Sequence, residues 1–441
     1  MTHATRPPAR RPWHPVEVSS KAFWSGPAPE RDAAFAMLRA TAPVSWQPPV
    51  EDPCLPGDSP GYWAVVAHRD IVEVSRRPEV FVSGQGVTFE NMPARALRSS
   101  QSILAMDAPE HTRLRTLVSA AFTARQVRRA EDAVRACAAE VVSTVAARGH
   151  CDMVRDIAAA LPTRTACGLL GVDRSEQDGV ARAVTTITGW NDPEVRAGRD
   201  RVTALGEAGR HLTTVARRLI AARRREPADD LVSTLVHATV TGERLTDLEI
   251  SAFFTLLCVA GIDTTQQTAA HAVAALHAYP GQREWLTADF EGRIDTAVEE
   301  MVRWASPVLT FRRTCVRDHR LGGRLIRTGE PVVLFYRSGN RDADVFAQPE
   351  RFDLSRDPNP HLGFGGGGPH WCLGSQLARS QLRCLLREMF TQIPDFRAGT
   401  PVPLVGNFIH GLKSLPLRFT PVRPDPPHPD PQRSSSDDDD R

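Results

Sequence analysis

The sequence predicts a mainly α protein with a smaller β part. Three observations carry that expectation. Helical periodicity dominates from about residue 109 to 280. Short β-branched and aromatic runs cluster between 310 and 336, separated by Gly-Gly and Thr-Gly-Glu-Pro turns. A last amphipathic stretch runs from about Leu373 to Phe390.

In chain order, Tyr62 to Ala67 is a strand candidate, followed by a short helix near Asp70 to Arg76. Within Glu131 to His150, Val134, Cys137, Ala138, Val141, Val142 and Val145 recur at helical spacing, and Gly149 offers a stop. The longest helix should start at Thr246, with Glu249 closing a capping box, and end before Pro280. Its roughly 33 residues at ~1.5 Å each would span ~50 Å, enough to cross a whole domain. A further helix is expected near Asp295 to Trp304, then strands at Thr310 to Val316, Gly323 to Ile326 and Val332 to Tyr336. No Gly/Ser linker, repeat or long charge run divides the chain, so one domain is expected over residues 15–420. Residues 1–14 and the Pro- and Asp-rich residues 421–441 are expected to be disordered tails.

Charge excludes some functions. Lys plus Arg number 54 and Asp plus Glu 52, a net charge of +2, which argues against a general nucleic-acid binder. At 41% hydrophobic residues a large core can form. The longest strongly apolar run, Ile250 to Ile262, is shorter than the ~20 residues that span hydrocarbon. Met1 to Pro15 is Arg- and Pro-rich and holds no apolar signal region. A cytoplasmic protein without a membrane anchor is expected. The 8 cysteines show no CxxC pairing, so neither a zinc site nor a disulfide framework is expected. Most behave as small hydrophobes; Cys372 stands apart.

Cys372 lies in Phe364-Gly365-Gly366-Gly367-Gly368-Pro369-His370-Trp371-Cys372-Leu373-Gly374. Glycines permit positive φ and let backbone approach a flat ligand closely. Where the loop gives way to a helix, amide N–H groups and the helix dipole favour thiolate over thiol. Such a thiolate is a good axial ligand for haem iron. The plainer reading is a Gly-rich turn with an incidental buried cysteine. No Lys-Ser/Thr follows the glycines, which argues against a phosphate-binding loop.

Three further segments hold chemistry-bearing residues. Ala260-Gly261-Ile262-Asp263-Thr264-Thr265 falls mid-way along the long helix, where glycine and threonine weaken a helix. A Thr hydroxyl bonded to a carbonyl would open a groove there, and the adjacent acid would relay protons; the alternative is a kink with a solvent-facing Asp. Glu300 and Arg303 share one helix face as ExxR, an ordinary salt-bridge spacing. His111 and Arg115 also share a face and can both donate to a carboxylate. Arg312 and Arg313 otherwise read as an exposed strand face, and for Arg312 that remains the simplest reading.

Together these segments resemble the cytochrome P-450 family, over roughly residues 15–420. Gly368, His370, Cys372 and Gly374 match its haem-binding loop. Phe364 stands one residue further from the cysteine than in the commonest bacterial form, similar to bacterial members that hydroxylate steroids and isoprenoid or branched lipids. The resemblance implies a single prism-shaped domain with the long helix crossing over haem b. Cys372 would ligate the iron; Ala260, Gly261, Phe364, Gly365 and Gly374 would border the ring. His111, Arg115, Arg313 and His370 would hold the propionates. Asp263 and Thr264 would be the catalytic acid–alcohol pair. Glu300, Arg303 and Arg351, of Pro349-Glu350-Arg351-Phe352, would form a structural network. Phe254, Val259, Val308, Leu309, Phe311, Phe408, Ile409 and the loop at about 82–105 would line an apolar substrate pocket.

The activity implied is a monooxygenase acting in bacterial secondary metabolism on a terpenoid, steroid or polyketide. It would be monomeric and use O2 and NAD(P)H-derived electrons, delivered by a separate ferredoxin and ferredoxin reductase. Alternatives are hydroxylation or oxidative coupling of an aromatic alkaloid or cyclic dipeptide, a non-catalytic haem-thiolate sensor, and a helical interaction scaffold without cofactor.

Overall fold

The structure, a computed structural model, describes residues 11–54, 59–91, 102–119, 124–240 and 243–422. Most of residues 1–14 and 421–441, expected as tails, lies outside these. At the inner edges of both, the chain is anchored. Arg11 reaches Glu330 at 2.6 Å and lies 4.9 Å over the Trp63 ring, and the Val422 N–H donates to the Ala146 carbonyl at 3.0 Å.

The long helix spans Asp247–Ala278, and its capping box is formed as the sequence predicts. The Glu249 N–H donates to Thr246 Oγ1 at 3.2 Å, and the Thr246 N–H donates to Glu249 Oε2 at 2.8 Å. By length and composition it is the one helix among the described residues that could cross a membrane. Its surroundings are those of a core helix: it packs against Ala160–Leu170, Gln177–Thr188, Arg201–Arg225, Phe290–Ala305 and Ser375–Gln392. Phe254, Cys258 and Ile262 sink into one apolar core, and Ala269, Val273 and Leu276 into another.

The β part is a five-stranded sheet, ordered Val44–Gln47, Tyr62–Val65, Pro331–Phe335, Thr310–Cys315, Phe81–Val82. The pair Tyr62–Val65 with Pro331–Phe335 is parallel; the others are antiparallel. The expected strand near Gly323–Ile326 belongs instead to a separate hairpin of His319–Leu321 with Arg324–Ile326. Gly322 and Gly323, at φ 54° and 75°, form its two-residue turn. Aromatic rings of Trp24, Phe35, Tyr62, Phe89 and Phe335 pack on one side of the main sheet.

Candidate active site

The cysteine loop precedes helix Ser375–Gln392. Gly365, Gly367 and Gly368 take φ of 106°, 91° and 74°, a region that L side chains avoid. A Cβ at Gly366 would fall 2.5 Å from Ser75 Oγ, and one at Gly368 would fall 2.2 Å from the Ser75 carbonyl oxygen. The glycines therefore let the loop press onto the end of helix His68–Arg76. The Cys372 N–H donates to the Phe364 carbonyl at 3.0 Å, which closes the loop.

Cys372, Phe364, Gly365 and Gly374 border an internal cavity of about 260 Å³. Ala260, Gly261, Thr264, Thr265 and Thr268 of the long helix form the facing wall. Burial pushes the Cys372 thiol up; the Gly374 N–H, Arg115 and Arg379 pull it back only in part. Desolvation thus opposes the local dipoles on which the sequence expectation of thiolate rests, at a cysteine whose surface is open to the cavity. Coordination to a cation deprotonates a thiol outright.

At the edge of the cavity four basic side chains converge. Arg115 donates to the Trp371 carbonyl at 2.5 Å, and Arg313 to the Arg312 carbonyl at 2.8 Å. The His111 and His370 rings lie 4.4 Å apart, and His370 Nε2 is 3.1 Å from Ser83 Oγ. Burial, with Arg313, His111 and Arg115 nearby, lowers the His370 pKa to about 3. Buried His111 Nε2 has no hydrogen-bond partner. Asp107 is the carboxylate that acts on this group. Two arginines and an orphaned imidazole nitrogen beside a cavity lined by Gly365, Gly366 and Gly367 are what a ring carrying two carboxylates requires. The residues fit haem.

On the long helix, Thr264 Oγ1 donates to the Ala260 carbonyl at 2.7 Å and Thr268 Oγ1 to the Thr264 carbonyl at 2.8 Å. The back-bonding expected of Thr264 is present, but the helix stays continuous from Asp247 to Ala278. Asp263 faces away from the cavity and is 2% exposed. Its Oδ1 accepts from Gln267 Nε2 at 3.3 Å. Its Oδ2 has no firm partner, since the nearby Thr188 hydroxyl donates to the Val184 carbonyl at 3.0 Å. Burial raises the Asp263 pKa; Thr188 and Gln267 offset this in part.

Residues 293–392 match the cytochrome P-450 family model. The chain is 40% identical over 419 residues to the methyl-branched lipid omega-hydroxylase of Mycobacterium tuberculosis, covering 94% of this chain and 97% of that protein. The steroid C26-monooxygenase of Mycolicibacterium smegmatis is 37% identical over 394 residues, 88% of this chain and 90% of that protein. A Mycobacterium marinum cytochrome P-450 in complex with pseudoionone superposes with a TM-score of 0.91 at 52% identity, covering 93% and 99% of the two chains. The chain belongs to the cytochrome P-450 family. It is a monooxygenase of that fold, a family that carries haem on a cysteine thiolate.

Other expected residues of this P-450 fall differently. Glu300 and Arg303 are fully buried and fork together at 2.7 and 2.8 Å. The third member of their network is Arg356, 3.1 Å from Glu300, and not Arg351. Phe352 takes the inward place with its ring 5.4 Å from Trp304, which leaves the Arg351 side chain 58% exposed beside Asp353. Arg351 contributes only its carbonyl, which accepts from Arg303 at 3.1 Å. Arg312 is buried, with a hydrogen bond to Asn91 Oδ1 at 2.9 Å, and is not on an exposed strand face.

Of the expected substrate-pocket residues, Val308 and Phe311 line the cavity. Phe254 does not line it but packs into the helical core, while Leu256, Leu257 and Ala260 of the same helix do line it. Val259 packs with the helical core, and Leu309 under the sheet. Phe408 stands behind Phe311 at 6.0 Å, and Ile409 pairs with Val308 as a β-bridge; both support the wall from behind. Within the expected loop at 82–105, Ile103 and Leu104 line the cavity, while residues 92–101 lie outside the described residues. Ala166 and Leu169, on helix Ala160–Leu170, join the lining unanticipated; their helical spacing gives no sign of which core they face.

Proposed function

We propose that this monooxygenase hydroxylates the end of a methyl-branched lipid chain of isoprenoid or steroid type. The observation that carries the reading is the apolar wall of Leu104, Leu256, Leu257, Val308 and Phe311 above the cysteine loop. Such a wall takes hydrocarbon and offers no charged anchor to a polar substrate. Relatives named for omega-hydroxylation of methyl-branched lipids and for C26 of steroids support the choice of chain end. So does the neighbour in complex with pseudoionone. These favour the terpenoid and steroid reading over an alkaloid or cyclic dipeptide.

Cys372 would hold haem b, with His111, Arg115, Arg313 and His370 on its carboxylates. When bound, haem supplies insertion of one oxygen atom from O2, using two electrons. The chain's residues do the rest. The apolar wall excludes water and aims a C–H bond. Thr264 presents a hydroxyl to the cavity, fixed by its bond to the Ala260 carbonyl. Asp263, whose pKa burial raises, is the proton-carrying acid one residue away. Electrons would come from a separate ferredoxin and its reductase, with the chain a cytoplasmic monomer and residues 15–420 a single catalytic domain.

The test uses the haem-loaded protein with a surrogate ferredoxin pair. Methyl-branched fatty acids and sterols should give a low-to-high-spin shift and a terminally hydroxylated product. In-chain or ring oxidation alone, or turnover confined to aromatic substrates, would refute the proposal.

A further inference from the structure

The Glu300 network leaves its neighbour Glu299 unexplained. Successive helix residues point about 100° apart, so Glu299 faces the cysteine loop and helix Ser375–Gln392. Arg379 forks onto its carboxylate, Nε to Oε1 at 2.5 Å and NH2 to Oε2 at 2.9 Å. His361 places Nε2 3.0 Å from Oε2, while its Nδ1 accepts from the Gly363 N–H at 3.1 Å. That acceptor role sets the tautomer: Nε2 carries the proton given to Glu299. Against the cost of burial, the hydrogen bonds from Arg379 and His361 draw the Glu299 pKa down to about 2.

Arg379 makes a second contact. Its guanidinium lies over the Phe364 ring, 4.4 Å from the centroid. The His361 ring is 5.6 Å from the same ring. The Phe364 carbonyl in turn accepts the Cys372 N–H at 3.0 Å. One line of contacts thus runs from Glu299 through Arg379 and Phe364 to the cysteine.

We infer that Glu299, Arg379 and His361 form a second anchor for the cysteine loop, in which Arg379 is a positioning residue that tunes the electron affinity of the thiolate-bound haem. This rests on Cys372 as haem ligand. Each one-electron reduction by the external donor adds a negative charge to the haem–thiolate unit. A cation whose charge reaches the sulfur favours that reduced state. Glu299 screens the cation and fixes its place.

Redox titration of haem-loaded variants tests this. Arg379→Met should shift the midpoint potential negative, and Glu299→Gln should shift it positive, because the two remove opposite charges. Arg379→Lys should keep the wild-type midpoint, yet lose thiolate-type carbon monoxide absorption faster on warming, since an ammonium cannot fork and stack. Arg387→Met, which breaks the pair with Glu291 on the outside of the same helices, should change neither. Equal midpoints in all four variants, or shifts of one sign for both Arg379→Met and Glu299→Gln, would overturn the inference. If Arg379→Met does not hold haem, the sign of the Glu299→Gln shift decides. A wild-type protein without the thiolate-type spectrum would instead sink the ligand assignment itself.

Discussion

Glu300 and Asp263 are both buried carboxylates, at 0% and 2% exposure, in opposite surroundings. Glu300 accepts from Arg303, Arg356, Asn359 and the Asp353 N–H, at 2.7 to 3.1 Å. Asp263 has one long hydrogen bond, from Gln267, and no cation. A buried charge with every lone pair met is scaffold; an acid left under-satisfied next in sequence to a cavity-lining hydroxyl is poised for proton exchange. Glu299 resembles Glu300 in kind, since its two donors hold it ionised.

The largest effect should come from breaking the scaffold. Glu300→Ala leaves Arg303 buried and unpaired, at a cost of about 3–5 kcal/mol. Chemical denaturation should show that loss together with loss of haem; a stable haem-bound variant would contradict the scaffold role.

Glu299→Gln should cost at most about 3 kcal/mol at neutral pH. Because the folded-state pKa is depressed, this stability is present above the unfolded value of 4.5 and fades as pH falls towards about 2. Thermal melts of the variant and wild type across that window should converge at the acid end.

Asp263→Asn should keep the fold and lower coupled turnover by roughly 100-fold, with oxygen reduction diverted to peroxide. The sign for stability is reversed from that of Glu299. Burial raises the Asp263 pKa, so the carboxyl costs stability as pH rises past its unfolded value. The variant should be as stable as wild type at neutral pH or more so, and a destabilised, fully coupled variant would move Asp263 into the scaffold class. The smallest effect belongs to Arg351→Met, within about 0.5 kcal/mol, because its side chain is solvated. Arg356→Met should cost about 3 kcal/mol; equal losses for the two would restore Arg351 to the network.

Particular residues show how far the sequence could be read. The capping box at Thr246 and Glu249 was legible because it is a contact within one helical turn. The cysteine loop was legible because positive φ and close approach demand glycine. Arg351 and Arg356 were not distinguishable: both follow the same proline, and the choice depends on Phe352 reaching Trp304. The pocket face of the long helix was equally hidden. A helix apolar all round carries no record of which side meets a cavity and which a core, so Phe254 was misplaced while Val308 was not. The His319–Leu321 strand escaped because its residues are polar and only its hairpin partner marks it.

Local chemistry, then, was set by the chain alone: a cysteine in a glycine loop, a Thr beside an Asp in mid-helix, a Glu and Arg one turn apart. Tertiary packing decided which arginine completes the buried network, that Asp263 turns from the cavity into a cation-free niche, and that Glu299 reaches the cysteine loop through Arg379. The reason is range. Backbone conformation and i, i+3 contacts are settled within a few residues, whereas desolvation and charge pairing depend on what distant segments bring alongside.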